Sequence, residues 1–130
     1  RSLPTLKFLR EDITEETTLE KIQQLTRVTA DLILSDCSPN VSGHWDIDVA
    51  RQLDLAKRTL DIGHKLLGEN GKVLTKVFQG RGFREFMTAT KKSFNSVKLV
   101  KPDASRKTSA EIYLLAVGPK KNQTIIYTIY

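Results

Sequence analysis

The sequence predicts an α/β domain built on a mainly parallel sheet. Three observations point there. Short runs rich in Val, Ile and Leu recur along the chain and alternate with segments of helical periodicity. Clusters of Gly, Pro, Asn and Asp punctuate them. The chain has 130 residues, 39% hydrophobic and 28% charged, which suits one globular domain with a buried core.

The elements follow in order. Thr5 to Leu9 reads as a short strand ending at Arg10-Glu11-Asp12. Thr14, or a near neighbour, can cap a helix running to about Val28, with Leu19, Ile22 and Leu25 on one face. Asp31 to Ser35 is a compact apolar run, expected as a buried strand closed by Asp36. Pro39, Asn40, Ser42 and Gly43 make the segment from Cys37 to Ile47 a loop. Asp48 is the expected cap of a long helix ending near Leu67, with Val49, Leu53, Ala56, Leu60 and Leu67 as its apolar stripe. Gly68-Glu69-Asn70-Gly71 stops that helix, and Lys72 to Phe78 is the next strand. A turn at Gln79-Gly80-Arg81-Gly82 leads to a helix over Phe83 to Phe94 and a strand over Ser96 to Val100. Lys101 to Ser109 is a polar loop, and Glu111 to Val117 is an apolar strand. Thr124 to Tyr130 has strand-like composition without a clear partner.

Charge and cysteine content narrow the function classes. The 21 Lys and Arg against 15 Asp and Glu leave a net charge of +6, which favours an anionic partner such as nucleic acid. Cys37 is the only cysteine, so no internal disulfide forms, as suits a reducing compartment such as the cytosol. No apolar run approaches the roughly 20 residues of a membrane span, and no signal peptide is visible. The chain begins Arg1-Ser2-Leu3 and its only methionine is Met87, so a longer parent chain is expected.

In open α/β sheets, ligands bind beyond the carboxyl ends of the strands. That rule selects Asp12, Asp36 and the stretch from Lys76 to Gly82. Asp36 either faces a ligand or serves as a turn former. Lys76 lies inside the otherwise mostly apolar run from Val73 to Phe78. An ammonium there must be paired or reach solvent, because burying it alone is costly. A carboxylate beside it holds it charged, whereas burial or another cation lowers its pKa toward general-base use. Glu111 opens an apolar strand and reads equally as an exposed first residue. Lys101, Arg106 and Lys107, with Ser105, Thr108 and Ser109, suit phosphate contacts or an ordinary solvated loop. His44 and His64 have no metal-ligand spacing with Cys37, and no metal is expected.

Three stretches together resemble one family. They are Asp31-Leu-Ile-Leu-Ser-Asp-Cys-Ser-Pro-Asn-Val-Ser-Gly43 with Asp48-Val-Ala-Arg51, then Lys76-Val-Phe-Gln-Gly-Arg-Gly-Phe83, then Lys101-Pro-Asp-Ala-Ser-Arg106 with Ser109-Ala-Glu-Ile-Tyr113. In order and spacing they resemble the FtsJ family, also called RlmE or RrmJ, the 23S rRNA ribose methyltransferases. The resemblance runs from about Phe8 to Gly118. It implies a Rossmann-like methyltransferase fold that uses S-adenosylmethionine, with residues 1–118 as the C-terminal part of the domain and 119–130 as a tail. It also implies that the family's first lysine, glycine-rich cofactor loop and ribose-binding acid precede the matched region. The strand at Thr5 to Leu9 is then separated from the one at Asp31 to Ser35 by two strands lacking here, with unpaired edges.

By motif, Asp36 matches the family aspartate beside the cofactor, Lys76 the second catalytic lysine and Glu111 the catalytic glutamate. Asp12 matches the acid that contacts the cofactor adenine. The implied reaction is methyl transfer to a ribose 2′-hydroxyl of RNA, foremost a uridine of large-subunit rRNA, in the cytoplasm. Lys76 would accept the hydroxyl proton, Asp36 would orient it and Glu111 would fix the geometry. Arg84, Lys101, Arg106 and Lys107 would hold phosphates. A tRNA ribose methyltransferase and a non-catalytic RNA-binding or ribosome-assembly relative are the competing readings. DNA and membrane are not expected partners.

Overall fold

The computed structural model describes residues 7, 9–26, 29–39, 42–101 and 110–121. The elements are α1 (Thr17–Thr26), β1 (Ala30–Ser35), α2 (Trp45–Leu66), β2 (Leu67–Phe78), α3 (Phe83–Ser93), β3 (Phe94–Val100) and β4 (Glu111–Pro119). The four strands form one sheet in the order β1-β2-β4-β3. β1 and β2 pair in parallel, while β4 runs antiparallel to both β2 and β3. Three strands therefore share one direction, as the alternation of strand and helix predicts, and β4 is inserted between two of them in reverse.

The core lies on one face of this sheet. Leu53, Ala56 and Leu60 of α2 pack with Phe86 of α3 against Val73 and Val77 of β2, Leu114 and Ala116 of β4, and Phe94 of β3. The expected α2 stripe is thus the buried one, through Val49, Leu53, Ala56 and Leu60. Side chains alternate across a strand, so Lys76, between Val77 and Thr75, points to the opposite side of the sheet. Two glycines shape the turn after β2. A Cβ on Gly80 would stand 2.8 Å from a Val49 methyl, so only glycine lets the turn approach α2. Gly82 caps α3 at φ 89°, a left-handed conformation that glycine adopts without steric cost.

Several expectations need correction. The apolar run from Asp31 to Ser35 reads by composition as a buried strand, yet among the described residues β1 is a sheet edge, matching the unpaired edge that the family resemblance implies, and Leu32 and Leu34 are 55% and 68% exposed. Ile33 and Ser35 alone face α2, where Ile33 lies near Gly63 and Ser35 Oγ meets Thr59 Oγ1 at 3.2 Å. Asp48 is not the cap of α2. The helix starts at Trp45 after His44, and the buried Asp48 carboxylate instead accepts the Ser42 amide at 2.9 Å, tying the preceding loop to the first turn. Gly68 to Gly71 does not separate helix from strand. Leu67 is already extended and pairs with Ala30, and the glycine-bearing segment is a register irregularity within β2. α1 begins at Thr17 rather than Thr14, because Asp12 gathers Thr14 N and Oγ1 into a turn and Thr18 Oγ1 donates to the Asp12 carbonyl. Of the strand expected at Thr5 to Leu9, only Lys7 and Leu9 are described, and neither lies in a strand. The segment Thr124 to Tyr130 falls outside the described residues.

His64 is structural, as its isolation suggested: Nε2 lies 2.8 Å from the Lys120 carbonyl, and the ring packs edge-on against Phe94.

Candidate active site

The ends of three adjacent strands converge on Lys76. Asp36 directly follows β1, Lys76 sits two residues before the end of β2, and Glu111 opens β4. The ladders make the meeting inevitable: Ser35 pairs with Thr75, Lys76 with Tyr113 and Phe78 with Glu111. Lys76 Nζ lies 3.0 Å from Asp36 Oδ1, donates to Ser38 Oγ at 2.9 Å and stands 3.9 Å from Glu111 Oε1. Lys76 is 8% exposed, so its charge is answered by pairing rather than by bulk water. The structure therefore brings together all three residues that the sequence singled out for chemistry.

Each charge responds to its neighbours. Burial pushes the Lys76 pKa down, the largest single influence. The hydrogen bond to Asp36 and the negative charges of Glu111 and Asp36 together outweigh it, and the net direction is upward. The Lys76 hydrogen bond holds Asp36 below the usual carboxylate value, with Tyr113 adding to the effect. Tyr113 is itself raised, by burial and by donation to Asp36 Oδ1 at 3.1 Å. In this arrangement Lys76 is an ammonium held between carboxylates.

Sequence reasoning missed three residues. Tyr113 and Ser38 complete the hydrogen-bond set around Asp36 and Lys76. The signal for Tyr113 was its two-residue spacing from Glu111, which puts both on one face of β4. Gln52 is less visible. It sits on α2, 1% exposed, and its side-chain amide bridges the β2 backbone. Nε2 donates to the Lys76 carbonyl at 2.7 Å, and Oε1 accepts the Phe78 amide at 2.9 Å. The β1 ladder ends at Ser35, so the Gln52 amide takes over where a neighbouring strand would have continued.

A cleft of about 440 Å³ opens beside Asp36. Leu9, Ile13, Ile22 and Ile33 give it apolar walls, and two carboxylates line it, Glu11 paired with Lys21 at 2.7 Å and Asp36 paired with Lys76. Arg58 holds its outer wall by donating to the carbonyls of Ile13 and Glu15. Apolar walls with two carboxylates are suited to a ligand that combines a flat ring with positive charge. Glu11 lines the cleft; the Asp12 carboxylate is engaged by Thr14 on its own turn. Arg84 is exposed on α3 and Lys101 is exposed after β3, whereas Arg106 and Lys107 lie outside the described residues. Among the described residues, no group of three or more His, Cys, Asp or Glu is placed to hold a metal, and no helix is long and apolar enough to cross a membrane.

This fold is matched in known proteins. The FtsJ-like methyltransferase family model covers residues 1–119, and the chain belongs to that family. Among its relatives is the ribosomal RNA large subunit methyltransferase E of Methanothrix thermoacetophila, 47% identical over 104 residues. That match covers 80% of this chain and 41% of the relative. The protein of the same name from Acinetobacter baylyi is 43% identical over 121 residues, covering 92% of this chain and 56% of the relative. The chain thus spans about half the length of the curated relatives it matches. A crystal structure from Plasmodium falciparum, described as a ribosomal RNA methyltransferase, superposes with a TM-score of 0.76. The superposition covers 92% of this chain and 66% of that one at 20% identity, which establishes the shared fold.

Proposed function

We propose that the protein carrying this chain transfers a methyl group from S-adenosylmethionine to a ribose 2′-hydroxyl of RNA, foremost a uridine of large-subunit rRNA. The observation that carries this reading is the convergence of Asp36 and Lys76, at the carboxyl ends of β1 and β2, with Glu111 at the start of the antiparallel β4. Family membership and the names of the relatives support it.

The residues present fit the cofactor. The apolar walls of the cleft suit the adenine ring, and Asp36 and Glu11 suit the positive charge. Asp12, at the turn beside the cleft, is the proposed adenine contact. S-adenosylmethionine supplies a sulfonium-borne methyl that an oxygen nucleophile can take. The chain's own task is to orient that oxygen and receive its proton. Lys76 is placed for both. Its ammonium fixes a hydroxyl by hydrogen bonding, and its neutral amine accepts the proton. Asp36 and Glu111 favour the ammonium, so the proton-accepting form has to be reached against them. Positive charge in the adjoining cleft acts in the needed direction, since a nearby cation lowers a lysine pKa. Arg84, Lys101, Arg106 and Lys107 are the proposed phosphate contacts, giving salt-dependent affinity.

The test is methyl transfer by the full-length protein to unmodified large-subunit rRNA and, separately, to tRNA. The modified nucleotide is identified by mass spectrometry. A 2′-O-methyl uridine in rRNA, lost on Lys76→Ala, is the expected result. Methylation of a base, or undiminished transfer by Lys76→Ala, would refute the reading. Modification of tRNA alone would move the substrate class.

A further inference from the structure

The structure places an exposed aromatic platform beside this site, and we propose that Trp45 stacks on a nucleobase of the RNA segment carrying the acceptor ribose. The inference rests on the reading above and specifies how that substrate is held. Trp45 opens α2 and is 54% exposed, although an indole is among the side chains that gain most from burial. Its ring lies on Phe78 with centroids 5.7 Å apart and planes 14° apart. Phe78 braces the indole from one side while more than half the residue stays open to solvent. This is a rigid flat surface, built without being covered.

Its position relates it to the chemistry. Phe78 is two residues beyond Lys76 on the same face of β2, roughly 7 Å along the strand, and pairs across the ladder with Glu111. A base attached to, or next to, the reacting ribose falls within that reach. The flanking charge fits a nucleotide as well. The turn at Gly80 packs on Val49, one helical turn after Trp45 on the same face of α2, and carries Arg81; Arg84 follows on α3. Both arginines are exposed. Asp46 and Asp48 are the acidic residues of that helix turn and Glu85 that of α3, so the basic contribution comes from Arg81 and Arg84. A flat aromatic surface flanked by guanidinium groups suits an aromatic ring joined to phosphate. Single-stranded RNA is read in this manner, with splayed bases stacked on aromatic side chains.

The experiment uses the full-length protein and two short oligomers of equal charge, oligouridylate and an abasic ribose-phosphate chain. Binding is followed by tryptophan fluorescence, and the Trp45 component is isolated by subtracting the Trp45→Phe variant. Oligouridylate should quench the Trp45 component and the abasic chain should not. Trp45→Leu should weaken oligouridylate binding about 5- to 150-fold, while Trp45→Phe recovers most of the affinity. S-adenosylmethionine affinity should be the same in all three proteins. Equal quenching by both oligomers, or undiminished binding by Trp45→Leu, overturns the proposal. If Trp45→Leu does not fold, the quenching comparison decides alone. Because binding is read without turnover, absence of methyl transfer counts against the proposed reaction and not against this platform.

Discussion

Replacing Gln52 by leucine tests how the active-site strand is held. Gln52 is 1% exposed and its amide makes two bonds to β2, one on either side of Val77. Leucine fills a similar volume but offers neither donor nor acceptor. The Phe78 amide, half-buried behind the fully buried Gln52, would then be left without its acceptor. The Lys76 carbonyl would keep only the Thr75 hydroxyl, at 3.3 Å. An unsatisfied buried polar group costs about 1–3 kcal/mol, so two groups, one partly satisfied, cost about 2–4 kcal/mol together. That is a large share of the roughly 5–15 kcal/mol by which native proteins are stable. At about 2–4 °C per kcal/mol for a protein of 150–250 residues, Tm should fall by roughly 5–15 °C. Thermal unfolding of the full-length protein by circular dichroism measures this. Gln52→Glu keeps the acceptor for Phe78 but sets a carboxylate against the Lys76 carbonyl. It should be destabilised at neutral pH and recover as acid protonates the new side chain. A Gln52→Leu variant within about 0.5 kcal/mol of the parent would refute the reasoning.

Three further outcomes follow from the same geometry. Asp36→Asn removes the nearer of the two carboxylates beside the Lys76 ammonium and so lowers the Lys76 pKa. The rising limb of methyl transfer with pH should move to lower pH, whereas an unmoved or upward limb would contradict the proton-acceptor role. Glu111→Gln should shift it the same way by less, since Glu111 stands at 3.9 Å and Asp36 at 3.0 Å. For stability the signs run oppositely. The raised Lys76 contributes below the ordinary lysine pKa and loses that contribution as pH rises through its folded value. The lowered Asp36 contributes above the ordinary carboxylate value and loses it as pH falls through its own. The pair therefore persists through the neutral range, and acid and alkaline titrations followed by Tm should each show loss at one end. Finally, Arg81→Ala and Arg84→Ala should each reduce the slope of log affinity for single-stranded RNA against log salt by about 0.7, as expected for one lost phosphate contact; an unchanged slope removes that arginine from the interface.

The cluster of Asp36, Lys76 and Glu111 was legible in part because side-chain alternation along a strand is written locally. A lysine inside an apolar run had to be paired or reach solvent, and the family resemblance named Asp36 and Glu111 as the residues beside it. What the sequence concealed depends on relations between elements. By composition alone nothing in Asp31 to Ser35 says that β1 is an edge among the described strands, because an apolar run reads the same with one neighbour or two; only the family resemblance implied it. Asp48 looks like a helix cap by type, yet the backbone turns helical three residues earlier and the carboxylate serves the preceding loop. Gln52 reads as an ordinary polar helix residue until β1 is known to stop at the level of Thr75. Glu11, paired with Lys21, lines the cleft while the Asp12 carboxylate bonds Thr14 on its own turn, an arrangement invisible to motif matching.

The central claim is that Lys76, paired with Asp36 and Glu111, serves ribose methylation. The most direct measurement is mass-spectrometric identification of the nucleotide formed when the full-length protein and its Lys76→Ala variant act on unmodified large-subunit rRNA. The parent protein should form a 2′-O-methyl nucleotide at one position. The variant, losing a proton-transfer group, should be slower by roughly 10²- to 10⁴-fold while binding S-adenosylmethionine as before. A methylated base, or a variant that turns over at the parent rate, would contradict it.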